Sequence, residues 1–447
     1  MYGFTPPYTM KKIVATIAFT ALIVLSAVAR KSPSLDYATP ESVGMDGEYL
    51  VRTIDSIATS SIENRCFPGC QILVARKGKI VLHKSYGHHT YDGCQKVENH
   101  HLYDLASCTK VLSATLSLMR LSEQQKIDLD TPFSEYFEEF RGSAREAITL
   151  REFLAHQGGL TAISNRRLIF DQAKNYRSDL ISRAQNEEFP FQFCDSLFVS
   201  RSIRDTIFRH IAEHKGCERK LRYSCLSFHC YPTVIERITG QNYEDFLHKE
   251  FYAPLGVKGI LYNPRRHYPL SEIVPTEIDN LFGRGLVHGF VHDETAALLG
   301  GVSGNAGLFA NSASIAPILQ MLLNKGEYNG VRHFERKSVK HWTSSQYPRN
   351  DNYRGLGFDK RRFSDKRSHR EEQSRRLYYA PSASRRSFGH SGFTGNVIWV
   401  DPKQELIFIF LSNRVHPSRS GEAYFELNPR AKCHEAAYEA IRRYRRK

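Results

Sequence analysis

Beyond Arg30 this chain of 447 residues has no apolar stretch long enough to cross a bilayer, which excludes a polytopic membrane protein. It has no internal repeat and no long linker, so a solenoid or a string of tethered modules is excluded too. Acidic side chains are scarce: 47 Asp+Glu stand against 62 Lys+Arg, for a net charge of +15. Such an excess draws a protein towards anionic envelope polymers, lipid or nucleic acid. The modules that read nucleic acid are missing, with no zinc-finger spacing, RNP motif or basic-zipper heptad, so no nucleic-acid partner is expected. Cys66-x3-Cys70 and Cys225-x4-Cys230 are the only close cysteine pairs, and neither is a metal clip. No metal and no organic cofactor is expected.

What is present is a globular composition of enzyme size, 41% hydrophobic, 24% charged and 12% aromatic, with ample material for a buried core. Much of the charge excess lies in Lys360 to Arg386 and in the terminal run Arg442-Arg443-Tyr444-Arg445-Arg446-Lys447, which read as a solvated loop and a frayed helix end. Nine cysteines, an odd number, leave at least one thiol unpaired within a monomer. The others read as small buried hydrophobes with one or two disulfides.

Lys11-Lys12 precede an uncharged run from Ile13 to Ala29 that ends in the small-x-small tripeptide Ala27-Val28-Ala29. This pattern predicts a signal peptide over residues 1–29 and delivery to the periplasm or cell envelope. An uncleaved membrane anchor through residues 13–29 is the alternative. No cysteine follows closely, which argues against a lipoprotein.

Further along, Glu41 to Thr59 has helical spacing of apolar residues, and Gln71 to Ala75 with Ile80 to Tyr86 flank a Lys77-Gly78 turn. Val111 to Leu121 predicts a buried helix, Ala144 to Leu261 a mostly helical stretch, Gly300 to Gly307 a turn and Ser312 to Leu323 another helix. Asn396 to Val400 and Leu406 to Leu411 predict a second hairpin, and Pro429 to Arg446 a final helix. The simplest architecture is α+β: one antiparallel sheet built from both ends of a single domain over residues 35–447. The sheet regions fall at about 40–105 and 285–447, flanked by helices, with a large helical insertion at about 106–284.

Ser107-Cys108-Thr109-Lys110 is the only S-x-x-K in the chain. At the start of a buried helix residues three apart share a face, which brings the Lys110 amine to the Ser107 hydroxyl. A serine needs such a base to become a nucleophile, and a helix N-terminus offers amides to an oxyanion. Standing alone, the tetrapeptide reads more readily as a simple helix N-cap at Ser107 and a surface lysine at Lys110.

Tyr103 to Lys110 resembles the F-D-L-A-S-x-T-K segment of class C type serine β-lactamases and their relatives, the penicillin-binding proteins, esterases and D-amino-acid peptidases. Four more segments follow in the family's order: Leu154 to Leu160, Tyr223-Ser224-Cys225, Gly301 to Leu308, and His390-Ser391-Gly392 in place of K-T-G. The resemblance runs from about Pro40 to Arg446 and is nearest to β-lactamase-like domains of Bacteroidetes type. It implies a β-lactamase/transpeptidase-like fold. It also implies Ser107 as the acylated nucleophile, Lys110 as its proton partner and Tyr223 as proton shuttle to the leaving group. The amides of Ser107 and Phe393 would form the oxyanion hole, and His390, Ser391, Gly392 and Cys225 would line the substrate pocket, with His390 facing the substrate. Lys110 and Tyr223 would have to be depressed by neighbouring cations or by burial to act as bases. His390 would ionise within the working range. Cys225 departs from the usual Asn, and His390 from the usual Lys.

The expected protein is thus an exported serine hydrolase that cleaves an ester or amide of a small-molecule or peptidoglycan-derived substrate, such as a D-amino-acid derivative, through an acyl-enzyme. A true β-lactamase and a catalytically silent envelope binding module are the alternatives. The sequence leaves the oligomeric state open.

Overall fold

The computed structural model describes residues 35–162, 165–214, 218–361 and 377–447. The predicted signal segment and most of the basic stretch after Lys360 lie outside them. A seven-stranded sheet runs, edge to edge, through Asp36–Tyr37, Lys79–Gly87, Gly69–Arg76, Leu406–Ser412, Val397–Asp401, Phe388–Ser391 and Asp359–Lys360. All neighbours are antiparallel except the short first strand. The two central strands come from opposite ends of the chain, in register from Arg76 with Leu406 to Cys70 with Ser412.

Both faces of the sheet are covered, which is why its central strands read as unbroken apolar runs. On one face Ile72, Val74, Trp399, Phe408 and Phe410 pack under Leu50, Ile54 and Ala58 of the helix Gly47–Glu63 and under Ala437 and Ile441 of the last helix, Pro429–Arg446. On the other, Leu73, Ile398, Ile407 and Ile409 meet Ile315, Ile318, Leu319 and Leu322 of the helix Ser312–Leu323 and the larger helical region beyond. Alternate residues of one strand therefore belong to different cores.

The predicted hairpins and the two later helices form, the sheet from Gly69–Arg76 with Lys79–Gly87 and from Val397–Asp401 with Leu406–Ser412. Three expectations change. The stretch read as mostly helical also contains a small antiparallel sheet of Ile181–Ser182, Leu197–Val199 and Phe191–Cys194, in which Asp195-Ser196 joins two short aromatic strands. The eight described cysteines are free thiols, and six of them are buried; a core this large needs no covalent staple. The terminal basic run is not frayed, because Arg443 and Lys447 reach Asp46 at 3.4 and 3.1 Å and Arg442 pairs with Glu435 and Glu439. Asp46 is itself the N-cap of Gly47–Glu63, so these pairs tie the two covering helices together.

Candidate active site

A second small sheet prepares the nucleophile: Tyr103–Asp104 pairs with Leu308–Ala310, which pairs in turn with Ile260–Tyr262. The chain then turns sharply. Ala106 adopts a left-handed φ of 44°, which costs a non-glycine residue on the order of 1 kcal/mol. The buried Asp104 carboxylate holds the turn by accepting the Ala106 N–H at 2.8 Å and the His292 N–H at 2.6 Å. Ser107 follows, half-buried, and Lys110 to Thr115 form a π-helical turn before the α-helix Leu116–Glu123. Widened turns of this kind recur at functional sites.

Ser107 Oγ accepts hydrogen bonds from Lys110 Nζ at 2.9 Å and from the Tyr223 hydroxyl at 2.9 Å. Lys110 is fully buried, and its other two N–H bonds go to Cys225 Sγ at 3.2 Å and the Asn305 carbonyl at 3.3 Å. All three hydrogens of an ammonium are thereby used. Asn305, from the glycine-rich turn, is anchored by Ser303 and Asp293. Tyr223 lies on the segment leading into the helix Leu226–Thr239, its ring partly exposed and tilted against buried His156 with ring centres 4.6 Å apart.

The strand Phe388–Ser391 closes the other side. A Cβ on Gly392 would stand 2.6 Å from the Leu105 carbonyl, so only glycine lets this strand end lie against the nucleophile turn. Phe393 is next, with its ring 49% exposed and stacked on His292. Its amide and that of Ser107 make no hydrogen bond to the described residues.

His390 stands apart from the expectation. It is 1% exposed, and its Nδ1–H donates to the Ser391 carbonyl at 2.8 Å while Nε2 receives Arg354 at 3.5 Å. Burial, with Arg354 and Lys110 adding to it against Asp359, pushes its pKa down to about 4. The imidazole is therefore neutral across the working range and supplies no third cation.

Lys110 and Tyr223 also depart from the depressed pKa values expected. Burial opposes the Lys110 charge, but its contacts with Cys225 and Tyr223 hold its proton, and the net direction is upward. Tyr223 is pushed up to about 12, chiefly by burial of its hydroxyl, against the pull of Lys110. The resting site is an ammonium and a phenol, and Ser107 can lose its proton only after one of them has lost its own. For a neutral ester, kcat/KM should therefore climb with pH between about 6 and 9, as the deprotonated minority grows, with no inflection from His390. His390→Asn should leave the shape of that profile intact; an inflection near pH 6.5 that the variant removes would contradict the neutral assignment.

Sequence reasoning missed Arg354. It is 8% exposed, ion-paired with Asp359, and its guanidinium carbon lies 5.4 Å from the centre of the Tyr223 ring. No motif surrounds it, and only folding brings it to His390. Among the described residues no group of three or more His, Cys, Asp or Glu is arranged to hold a metal, and no helix is long and apolar enough to cross a membrane.

A mixed sheet between helical layers, with a serine, a lysine and a tyrosine joined through the serine oxygen, defines a serine hydrolase of the β-lactamase/transpeptidase-like fold. The chain belongs to the Beta-lactamase family, whose sequence model matches residues 54–429. It is 28% identical over 434 residues to a protein of Escherichia coli O157:H7 that carries the provisional name D-alanyl-D-alanine carboxypeptidase, covering 90% of this chain and 91% of that one. A Salmonella typhi protein of the same provisional name is 28% identical over 435 residues, with the same coverage. Among solved structures the fold resembles D-amino acid amidase from Ochrobactrum anthropi SV3, with a TM-score of 0.63, 16% identity, and 88% and 99% of the two chains covered. It also resembles EstCE1, a hydrolase with promiscuous acyltransferase activity, with a TM-score of 0.62, 16% identity, and 87% and 99% covered.

Proposed function

We propose that this serine hydrolase is exported to the cell envelope and cleaves the amide or ester of a D-amino-acid or peptidoglycan-derived substrate through an acyl-enzyme on Ser107. The observation that carries the reading is the pair of 2.9 Å hydrogen bonds from Lys110 and Tyr223 to one serine oxygen. In the forward step Ser107 Oγ attacks the carbonyl, its proton passes to whichever partner is unprotonated, and the Ser107 and Phe393 amides receive the oxyanion. Tyr223 then returns the proton to the leaving amine or alcohol. Water repeats the sequence to release the acid. The names of the carboxypeptidase relatives and of the amidase with the same fold support the substrate class.

Intact-mass measurement after incubation with D-amino-acid amides, p-nitrophenyl esters and β-lactams tests the reading. An acyl adduct from the first two, resolved by water, is expected; no adduct from any of them would favour the silent binding module. Lys110→Ala and Tyr223→Phe should each lower kcat/KM by at least about 10²-fold, as losses of a general base or acid do, while the protein stays folded. Wild-type rates in either variant would remove that residue from the chemistry.

Cys225 bears on the β-lactamase alternative. Its Sγ accepts from Lys110 where an Asn oxygen would do so better, and it lacks the amide N–H that would hold an acylamide. Cys225→Asn should therefore raise turnover of nitrocefin and of amides. Cys225→Ala should cost only about fivefold, the worth of one weak hydrogen bond. Complete loss in the alanine variant would mean that the thiol itself reacts.

A further inference from the structure

The strand that carries His390 has a second cleft at its other end. Phe388 lines an opening of about 1040 Å³ walled by the two hairpin turns at Lys77-Gly78 and Pro402 to Glu405, by the end of the helix Ser312–Leu323 and by the helix Arg336–Trp342. Besides Arg385, six further cations line it: Lys77, Lys325, Arg336, Lys340, Lys360 and Arg386. None has a carboxylate within 4.0 Å among the described residues, although most arginines elsewhere that face a carboxylate have paired with one. Of the acids at the rim, Glu327 is already taken by Arg332 at 2.6 Å. Like charges held this close repel one another, so the cleft is a standing field for a multivalent anion.

The floor carries a different signal. Gln320 is 1% exposed and donates its Nε2–H to Asn324 Oδ1 at 2.8 Å, which leaves Gln320 Oε1 and Asn324 Nδ2 buried without partners. Exchanging the amide ends does not cure this, because one acceptor and one donor are left over in either orientation. A hydroxyl, which donates and accepts at once, satisfies both. Phosphate, without a hydrogen to give, satisfies only the donor. Lys360 adds to the picture. Burial pulls its pKa down to about 8 with only Asp401 opposing, so an anion placed here would restore a charge the fold now penalises.

We propose that this cleft binds an acidic saccharide chain, its cations meeting the carboxylate or phosphate groups of the chain and the Gln320 and Asn324 amides meeting its hydroxyls. The site is separate from Ser107 and does not depend on the hydrolase reading.

Titration calorimetry at low salt with tetragalacturonate, neutral maltotetraose and tripolyphosphate tests it on wild type, on Ser107→Ala, and on two cleft variants. Saturable binding of tetragalacturonate is expected, at the same affinity in Ser107→Ala, with maltotetraose much weaker. Arg336→Glu/Lys340→Glu should weaken tetragalacturonate and tripolyphosphate at least about tenfold, since it reverses two exposed charges. Asn324→Leu should weaken tetragalacturonate at least about fivefold and leave tripolyphosphate unchanged, because only the saccharide has hydroxyls to lose. All three positions lie at the surface or half-buried, and unchanged circular dichroism with unchanged esterase activity will show that the fold survives. Absence of saturable tetragalacturonate binding, or indifference to the charge reversal, overturns the site. Equal loss of both ligands in Asn324→Leu overturns the saccharide and leaves a plain polyanion cleft.

Discussion

Ser107→Ala is expected to abolish turnover of every ester and amide substrate and to abolish labelling by a fluorophosphonate probe. The probe reacts with a serine only where a base has made its oxygen nucleophilic and donors hold the resulting oxyanion, so labelling reports the whole constellation. Wild type should take up one probe per chain, on the peptide that contains Ser107. Removing Oγ leaves Lys110 still bonded to Cys225 and Asn305, so the ammonium is not stranded and the fold should persist. A melting temperature near that of wild type, together with no detectable acylation, is the expected pair of results. Turnover that survives the substitution, or probe on another serine, refutes the assignment of the nucleophile.

The second large effect concerns acid. His229 and His390 are held down to about 4 and His434 to about 3, in each case chiefly by burial, and His156 lies well below the usual range for the same reason. All four are within a few per cent of full burial. The unfolded chain binds protons on these rings near pH 6.5 and the folded chain does not, so stability falls as pH drops from about 6.5 towards 4. Each unit of difference is worth about 1.4 kcal/mol, so the four together remove several kcal/mol, a large part of an ordinary protein's stability. The melting temperature should be nearly level above pH 7 and fall steeply between about pH 6 and 4. His434→Asn, which keeps an acceptor for the Ala380 amide now bonded to His434 Nδ1, should make that fall shallower. A melting temperature that stays level down to pH 4.5 would show that these rings are not neutral captives of the core.

The acid result depends on features that no pattern in the sequence displays. The hairpins could be read because Ile, Val, Phe and Leu run together on either side of a short turn, and the last helix because Pro429 opens it. The nucleophile could be read because Ser107 and Lys110 are local neighbours. Tyr223 and Cys225 came only through resemblance, since spacing says nothing about a contact across more than a hundred residues. Arg354 escaped for that reason, and it adds to the burial that keeps the His390 ring neutral. The depressed Lys110 failed because a buried amine was weighed against imagined cations, whereas the structure surrounds it with a thiol, a phenol and a carbonyl. The small sheet at Ile181 to Val199 was lost among helical segments because its strands are only two to four residues long.

The pairing of Gly69–Arg76 with Leu406–Ser412 sets the order in which the molecule can come into being. A loop closed over most of the chain is paid in entropy before any of its contacts returns energy, so this central seam is a late event with high contact order. The N-terminal hairpin, made first, has no strand beside its inner edge until Leu406–Ser412 has been made. During synthesis it is a two-stranded ribbon, too small to hold itself together. The central seam of the sheet therefore cannot close until the chain is nearly complete, and until then the hairpin edge that it will cover stays open to wrong pairing.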